Sequence, residues 1–314
     1  MSDKVYGILT QRVIEMLGEP EQANGFPPWQ KEWSGVTSPM NHLSGKMYQG
    51  VNALMLILAS LSKGFASNRW MTLKQANAKG GKVKKNTKGF PVIFFKVQNL
   101  ERINEDTGEI LEKRQYSVVR YSLVFNLDQI EGVATPPIIE SEGGDEPLTL
   151  SREALLAYMR AEGIGLVQGG GKAAYSPVRD RIQMPEGFTS EAAYTAALAH
   201  ECMHSTGHAK RLNRFGAEGS NQQFAKEHRY PFEELVAELG ALFFMSRNDL
   251  TYSLENHVSY LKFWVDAMRV EPRFLVRAAS RAEKALAYLF ESVGKAALEN
   301  AQQNHQLSLK EGAV

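Results

Sequence analysis

The sequence predicts an α+β protein in two parts: an N-terminal α+β domain and a mostly helical C-terminal domain. Three observations predict it. Apolar, helix-periodic stretches with recognisable start and stop residues occur in both halves. Two runs rich in Phe, Val, Ile and Tyr, Phe90 to Val97 and Tyr116 to Asn126, flank the turn residues Glu105-Asp106-Thr107-Gly108 and read as a β-hairpin. Between Gly132 and Pro147 the chain reads GVATPPIIESEGGDEP, a Pro-, Gly- and acid-rich stretch without periodicity that suits a linker. The expected division is residues 1–130, a linker over 131–150, and residues 151–314.

In the first part, Lys4 to Leu17 and Gly50 to Ser62 suit helices, the second stopped by Gly64. A third helix is expected from Thr72, because Thr-x-x-Gln to Gln75 matches a capping box in which each side chain satisfies the other's backbone N–H. In the second part, Ser151 can cap a helix running to Ala161. Short strands are expected at Ile164 to Val167, Ala173 to Tyr175 and Asp180 to Met184, followed by an Ala-rich helix over Ser190 to Ser205. Pro231 suits the first turn of a helix to about Met245, since the missing N–H costs nothing there. Two further helices, Leu254 to Arg269 and Pro272 to Val293, precede a polar tail.

Composition narrows the class of protein. Over 314 residues, 43% hydrophobic and 23% charged content is that of a globular chain. The longest apolar run, within Ala53 to Leu61, is far short of the roughly 20 residues that span a bilayer, so no membrane partner is expected. A single cysteine, Cys202, rules out an internal disulfide, and the cytoplasm is the expected location.

Charge is unevenly placed. Residues 1–130 hold 17 Lys plus Arg against 11 Asp plus Glu, and the remainder 19 against 24. Trp33 to Leu100 contains no acidic residue but ten basic ones. Three of the four tryptophans, with Tyr48, share this half. A positive groove with aromatic faces for bases to stack on is how single strands are held without sequence preference. The expected contacts to single-stranded DNA are Trp29, Trp33, Lys46, Tyr48, Arg69, Trp70, Lys74, Lys82, Lys84, Lys85 and Lys88. Tryptophans packed in a core beside a solvated lysine turn would leave the same pattern.

His200-Glu201-Cys202-Met203-His204 is an HExxH motif within an expected helix. Residues four apart lie one turn apart on one face, so both imidazoles can reach one Zn²⁺ while Glu201 serves as acid/base. Glu201 is the only Asp, Glu, Lys or Arg between Ala192 and Gly207, a poverty of charge that a solvated helix would not show. A catalytic zinc takes a third protein ligand and leaves one position open. Glu234 is the favoured third ligand, with Glu233, Glu238 and His208 as alternatives. Glu238, set among Leu235, Val236, Leu239 and Leu242, would be costly to bury unpaired and suits a hydrogen bond to a ligand histidine. Gly207 sits where metzincins place glycine, but Lys210 stands at their third histidine. His208 then reads as a supporting or substrate-side group.

These residues carry a resemblance that covers nearly the whole chain. Pro28-Trp29-Gln30-Lys31-Glu32-Trp33, Gly45-Lys46-Met47-Tyr48-Gln49-Gly50, Arg69-Trp70-Met71-Thr72 and Val124-Phe125-Asn126-Leu127-Asp128-Gln129 resemble the single-stranded-DNA-binding domain of ArdC-type proteins, also found in front of conjugative plasmid primases. Tyr175-Ser176-Pro177, Asp180 to Pro185, HECMHSTGH, Arg211-Leu212-Asn213-Arg214 and FEELVAELGALF resemble the zincin-like metallopeptidase domain that follows it in ArdC antirestriction proteins. The resemblance implies a plasmid-encoded protein that protects incoming DNA from host restriction during conjugation. It also implies one zinc on His200, His204 and Glu234, and Glu201 as the catalytic residue. Peptidase substrates would be DNA-bound proteins or restriction enzymes, held as an added strand along Tyr175 to Met184, with Tyr230, His228 or His257 as oxyanion donor. The competing expectation is a non-catalytic protein that shields single strands and carries a vestigial metal centre.

Overall fold

The computed structural model describes residues 2–17, 37–103, 110–134, 146–216, 226–250 and 258–311. Trp29, Trp33, His257, the hairpin turn and much of the expected linker lie outside the described residues, as do the side chains of His228 and Tyr230.

The N-terminal half is a four-stranded sheet backed by helices. Strands β1 (Met40–Asn41), β2 (Arg69–Thr72), β4 (Phe90–Ile103) and β5 (Ile110–Asn126) lie in the order β1-β2-β5-β4. The first pair is parallel and the others antiparallel. The hairpin is therefore longer than the sequence suggests, paired from Phe90↔Val124 out to Ile103↔Ile110. β2 is a strand that the periodicity did not suggest. Thr72 ends it and caps α3 (Leu73–Ala78) through the expected reciprocal hydrogen bonds with Gln75. Two-residue strands β3 (Lys82–Val83) and β6 (Ile130–Glu131) pair beside α3, closing a small cluster of Met71, Ala76, Phe125, Leu127 and Ile130.

Helices α1 (Ser2–Leu17) and α2 (Val51–Lys63) pack against β4. Eight consecutive-patterned residues of α2, from Val51 to Ala59 except Asn52, are buried. A helix apolar on every side must be covered on every side, and α2 is covered by the sheet and by α8 of the C-terminal half. Its ends are set by two glycines with positive φ, Gly50 at 57° and Gly64 at 67°.

The C-terminal half comprises α4 (Glu146–Glu162), a sheet in the order β7 (Gly165–Gln168), β9 (Arg181–Met184), β8 (Ala174–Ser176), and helices α5 (Glu191–Ser205), α6 (Lys226–Arg247), α7 (Val258–Val270) and α8 (Arg273–Glu311). Three helix bounds differ from expectation. Ser151 lies inside α4, where its hydroxyl donates back to Pro147 O at 2.7 Å instead of capping the helix. Pro231 lies inside α6, not in its first turn, and its carbonyl accepts the Trp264 indole N–H at 2.9 Å. The expected polar tail is the end of α8, where Ala, Leu, Glu, Gln and Lys are strong helix formers. No helix among the described residues is long and apolar enough to cross a membrane.

The two halves share one core. A continuous apolar cluster runs from Leu9 and Val13 in α1, through Leu56 and Ile57 in α2, to Ala278, Ala282 and Leu286 in α8 and on to α5 and α6. Polar groups bridge the same boundary: Glu283 of α8 accepts the Gly50 N–H at 2.7 Å and pairs with Arg247 of α6 at 2.6 Å. Thr10 donates to Pro272 O at 2.8 Å.

Helices α5 and α6 approach most closely at Gly240, where a β-carbon would come within 2.6 Å of Met203 Cγ. A bulky residue at 240 must push the helices apart. Gly240→Val is expected to lower stability by about 1–3 kcal/mol, as overpacking does, and to weaken divalent-cation uptake; urea denaturation and a metal-competition titration check the two effects.

Candidate metal centre

α5 is started by Ser190, whose side chain accepts the Ala193 N–H at 3.1 Å. Its last turn is closed by Ser205 and Thr206, whose hydroxyls return to Cys202 O and Met203 O, each at 2.7 Å. This holds His200 and His204 on one face with their Nε2 atoms 3.1 Å apart. From α6, Glu234 brings Oε2 to 3.5 Å from His200 Nε2 and Oε1 to 3.5 Å from His204 Nε2. Donors held at about 2.0–2.1 Å around a tetrahedral ion stand roughly 3.3–3.4 Å from one another. The two Nε2 atoms and the nearer Glu234 oxygen of each stand at comparable separations, so these three residues could hold a divalent cation.

The remaining nitrogen of each histidine meets its own carboxylate. Glu238 Oε2 lies 3.2 Å from His200 Nδ1, and Glu233 Oε1 lies 3.6 Å from His204 Nδ1. Such partners fix the tautomer, so that Nε2 presents its lone pair. Glu233 is itself gripped by Arg214, whose Nε donates to both carboxylate oxygens at 3.1 and 3.2 Å. The other guanidinium nitrogens reach Thr206 Oγ1 at 2.6 Å and Met203 O at 2.7 Å, tying the end of α5 to α6. Gly207 is required by this packing, since a β-carbon would meet the Phe215 ring at 2.9 Å and the Arg214 guanidinium at 3.1 Å. The Arg214–Glu233–His204 chain is absent from the sequence reading. Its only signal is a second glutamate next to Glu234, which a helix N-terminal preference explains equally well.

Burial alone would lower both histidine pKa values, but the carboxylates overcome it. Glu234 and Glu238 raise His200 to about 10, and Glu233 and Glu234 raise His204 above its usual value. Glu201, itself buried, adds to both shifts. Burial would raise Glu234, yet the two histidines hold it well below the usual carboxylate range.

With this geometry in hand, the family can be read. Residues 3–125 match the family of the N-terminal domain of anti-restriction factor ArdC, and residues 153–281 match a zincin-like metallopeptidase family. Two crystal structures of the antirestriction ArdC protein from plasmid R388, one metal-free and one Mn(II)-bound, superpose with TM-scores of 0.69 and 0.67 at 31% identity. Each alignment covers 92% of this chain, and 98% and 97% of the respective ArdC chains. The chain belongs to the ArdC family. It is also 32% identical over 291 residues to uncharacterized protein y4eC of Sinorhizobium fredii (strain NBRC 101917 / NGR234), covering 89% of both. DNA primase TraC of Escherichia coli is 32% identical over 300 residues, covering 88% of this chain. The chain spans only 19% of that primase, and 26% of a second TraC primase that is also 32% identical.

The C-terminal sheet narrows the segment expected to offer a pairing edge. β9 is hydrogen-bonded on both sides, so within the expected segment Tyr175 to Met184 only β8 has an open edge among the described residues. β8 is drawn to the end of α5 by a polar group: Tyr175 donates to Asp180 at 2.7 Å, and Arg211 donates to Tyr175 at 3.0 Å, to Ser205 O at 2.6 Å and to Asp180. The contacts of His208 belong to this group, with Lys210 N–H on its Nδ1 at 3.2 Å and Asp180 at 4.0 Å. Glu238 and Glu233, rather than His208, stand beside the Nδ1 atoms of His200 and His204.

In the N-terminal half, Trp70 departs from its expected place as a DNA contact. Its ring is fully buried, edge-on to Phe65 and Phe90 with centroids at 5.8 and 5.6 Å, and has no face free for a base. Lys46, Lys74, Lys82, Lys84, Lys85 and Lys88 are exposed, and Arg69 and Tyr48 are half-buried. Asn41 ties these pieces together, donating to Tyr48 at 3.4 Å and Gln75 at 3.1 Å while accepting from the backbone of Leu43 and Ser44.

The raised histidines set the pH behaviour of the metal-free site. The His200 contribution is complete below its ordinary 6.5 and is lost as pH rises through about 10; the Glu234 contribution is complete above 4.5 and is lost on acidification. A cation must displace the histidine proton. Calorimetry at pH 7 in buffers of different ionisation enthalpy is expected to show release of about one proton or more per ion bound. Cation affinity should rise between pH 6 and 8. Glu233→Gln should weaken it about 10- to 100-fold, as loss of an orienting partner does.

Proposed function

We propose that this chain is an antirestriction protein that binds single-stranded DNA through its N-terminal half and cleaves DNA-associated proteins at a zinc centre, protecting incoming plasmid DNA during conjugation in the recipient cytoplasm. The observation that carries the peptidase reading is the trio of His200, His204 and Glu234, two histidines and one carboxylate, with the buried non-ligand Glu201 beside them. Three protein ligands leave a coordination position open, which a structural zinc site does not.

A divalent cation in this trio supplies Lewis acidity, polarising a peptide carbonyl and acidifying water. Glu201 accepts the proton of the attacking water and passes it to the leaving amine. Glu238 and Glu233 keep the imidazoles oriented. The open edge of β8 aligns a substrate backbone by strand pairing, independent of its side chains. The acid-free stretch with Lys46, Lys74, Lys82, Lys85 and Lys88 supports the attraction of a polyanion, and tethering on the same strand raises the local concentration of bound proteins.

Glu201→Gln in the full chain should retain stoichiometric metal by elemental analysis yet lose cleavage of DNA-bound proteins by about 10²–10⁴-fold. Paired with a restriction-protection assay, the same variant separates the readings. Protection that survives in Glu201→Gln, with no DNA-stimulated cleavage by wild type, would establish strand shielding with a vestigial metal centre instead.

A further inference from the structure

The β4–β5 hairpin carries exposed apolar side chains, interleaved with core residues, that the metal centre does not use. Residues directly opposite in an antiparallel pair share a face, so Ile93↔Tyr121, Pro91↔Leu123 and Phe95↔Val119 lie on one side of the ribbon. On this side Phe95 is 61% exposed, Leu123 47% and Tyr121 45%, while their cross-strand partners Val119, Pro91 and Ile93 are buried. Phe95 and Tyr121 are diagonal neighbours, which in a sheet sets them about 7–8 Å apart. The reverse side carries Phe94 opposite Arg120 and Lys96 opposite Val118.

Among residues 90–98 and 118–126 there is no Asp or Glu, and the exposed Lys96 and Arg120 lie on the reverse side of the ribbon. At the root of the hairpin stands the turn with exposed Lys84, Lys85 and Lys88. It abuts the strip, because a β-carbon on Gly89 would come within 3.1 Å of Leu123 Cβ and 3.0 Å of the Phe125 ring. Exposed rings running into a turn with exposed Lys85 and Lys88 fit an extended polyanion whose flat faces are free to stack, while Lys84 donates to Asp128 O at 2.8 Å. A duplex keeps its faces internally stacked and gains nothing from such rings.

We propose that the Phe95–Tyr121–Leu123 face of the hairpin is a base-stacking platform for single-stranded nucleic acid, with the Lys84–Lys88 turn holding the phosphates at its root. It deepens the DNA-binding reading above and replaces the role that Trp70, buried in the core, cannot fill.

The test uses the full chain and a fluorescently labelled oligothymidylate, followed by anisotropy, with a duplex of matched length as second probe. The double variant Phe95→Leu/Tyr121→Leu keeps apolar bulk but removes both rings, and thermal melting verifies its fold. It should bind the single strand about 10- to 100-fold more weakly, with duplex binding unchanged. Phe94→Leu, on the reverse side, should stay within about twofold of wild type. If wild type binds the single strand and the double variant binds equally well, the platform is overturned and the DNA-binding reading stands. An equal or greater loss from Phe94→Leu overturns the choice of face. If wild type does not bind the single strand, both readings fall. A large drop in melting temperature with unchanged affinity would assign the face to packing within the protein and overturn the proposal.

Discussion

The structure around the metal centre depends on burying two histidines against three glutamates. No one of these groups could be taken out of water alone, since an isolated buried charge costs several kcal/mol even after relaxation. Together they neutralise one another: Glu234 faces both Nε2 atoms, while Glu233 and Glu238 each take one Nδ1. The arrangement requires α5 and α6 to lie close along the whole stretch from Glu233 to Gly240. Gly240 supplies the close approach, and the buried Arg214 binds the end of one helix to the start of the other. A cation bound here would replace histidine protons in a site whose carboxylates already stand around both imidazoles.

The rest of the fold holds that helix pair from outside. α8 lies against α4, α5 and α6 on one side and against α1 and α2 on the other. Glu283 on this helix touches the start of α2 and the end of α6 at once. Among the described residues, the two matched family regions thus share one apolar cluster across α1, α2 and α8. A strand bound on the N-terminal sheet and a peptide bound along β8 would be held by a common rigid frame, which is the physical basis on which tethering could favour cleavage.

Charge and aromatic content separate in the N-terminal half in a way that composition hides. The tryptophan nearest the basic residues is spent on the core, as a T-shaped cluster with Phe65 and Phe90. Among the described residues of this half, the exposed rings are Phe94, Phe95 and Tyr121 of the long hairpin, on both of its faces where the sheet outgrows its covering helices.

By itself the sequence determined what is local. The capping box at Thr72, the β-branched and aromatic runs of β4 and β5, the apolar α2 and the four-residue spacing of His200 and His204 are each local to one element, and each is found in place. The N-terminal extent of α4 and α6 was misread because proline and serine signal a helix start only by preference. Glu234 could be favoured as a ligand from its spacing to Glu238 on an apolar helix. Tertiary structure alone decided which carboxylate meets which histidine nitrogen, that Arg214 locks Glu233, that β9 is closed and β8 open, and that Trp70 faces inward while Phe95 and Tyr121 face out. Those outcomes depend on how separate elements cross, and the crossing of two helices or the covering of one sheet face is set by packing between residues distant in the chain, which no periodicity within a single element encodes.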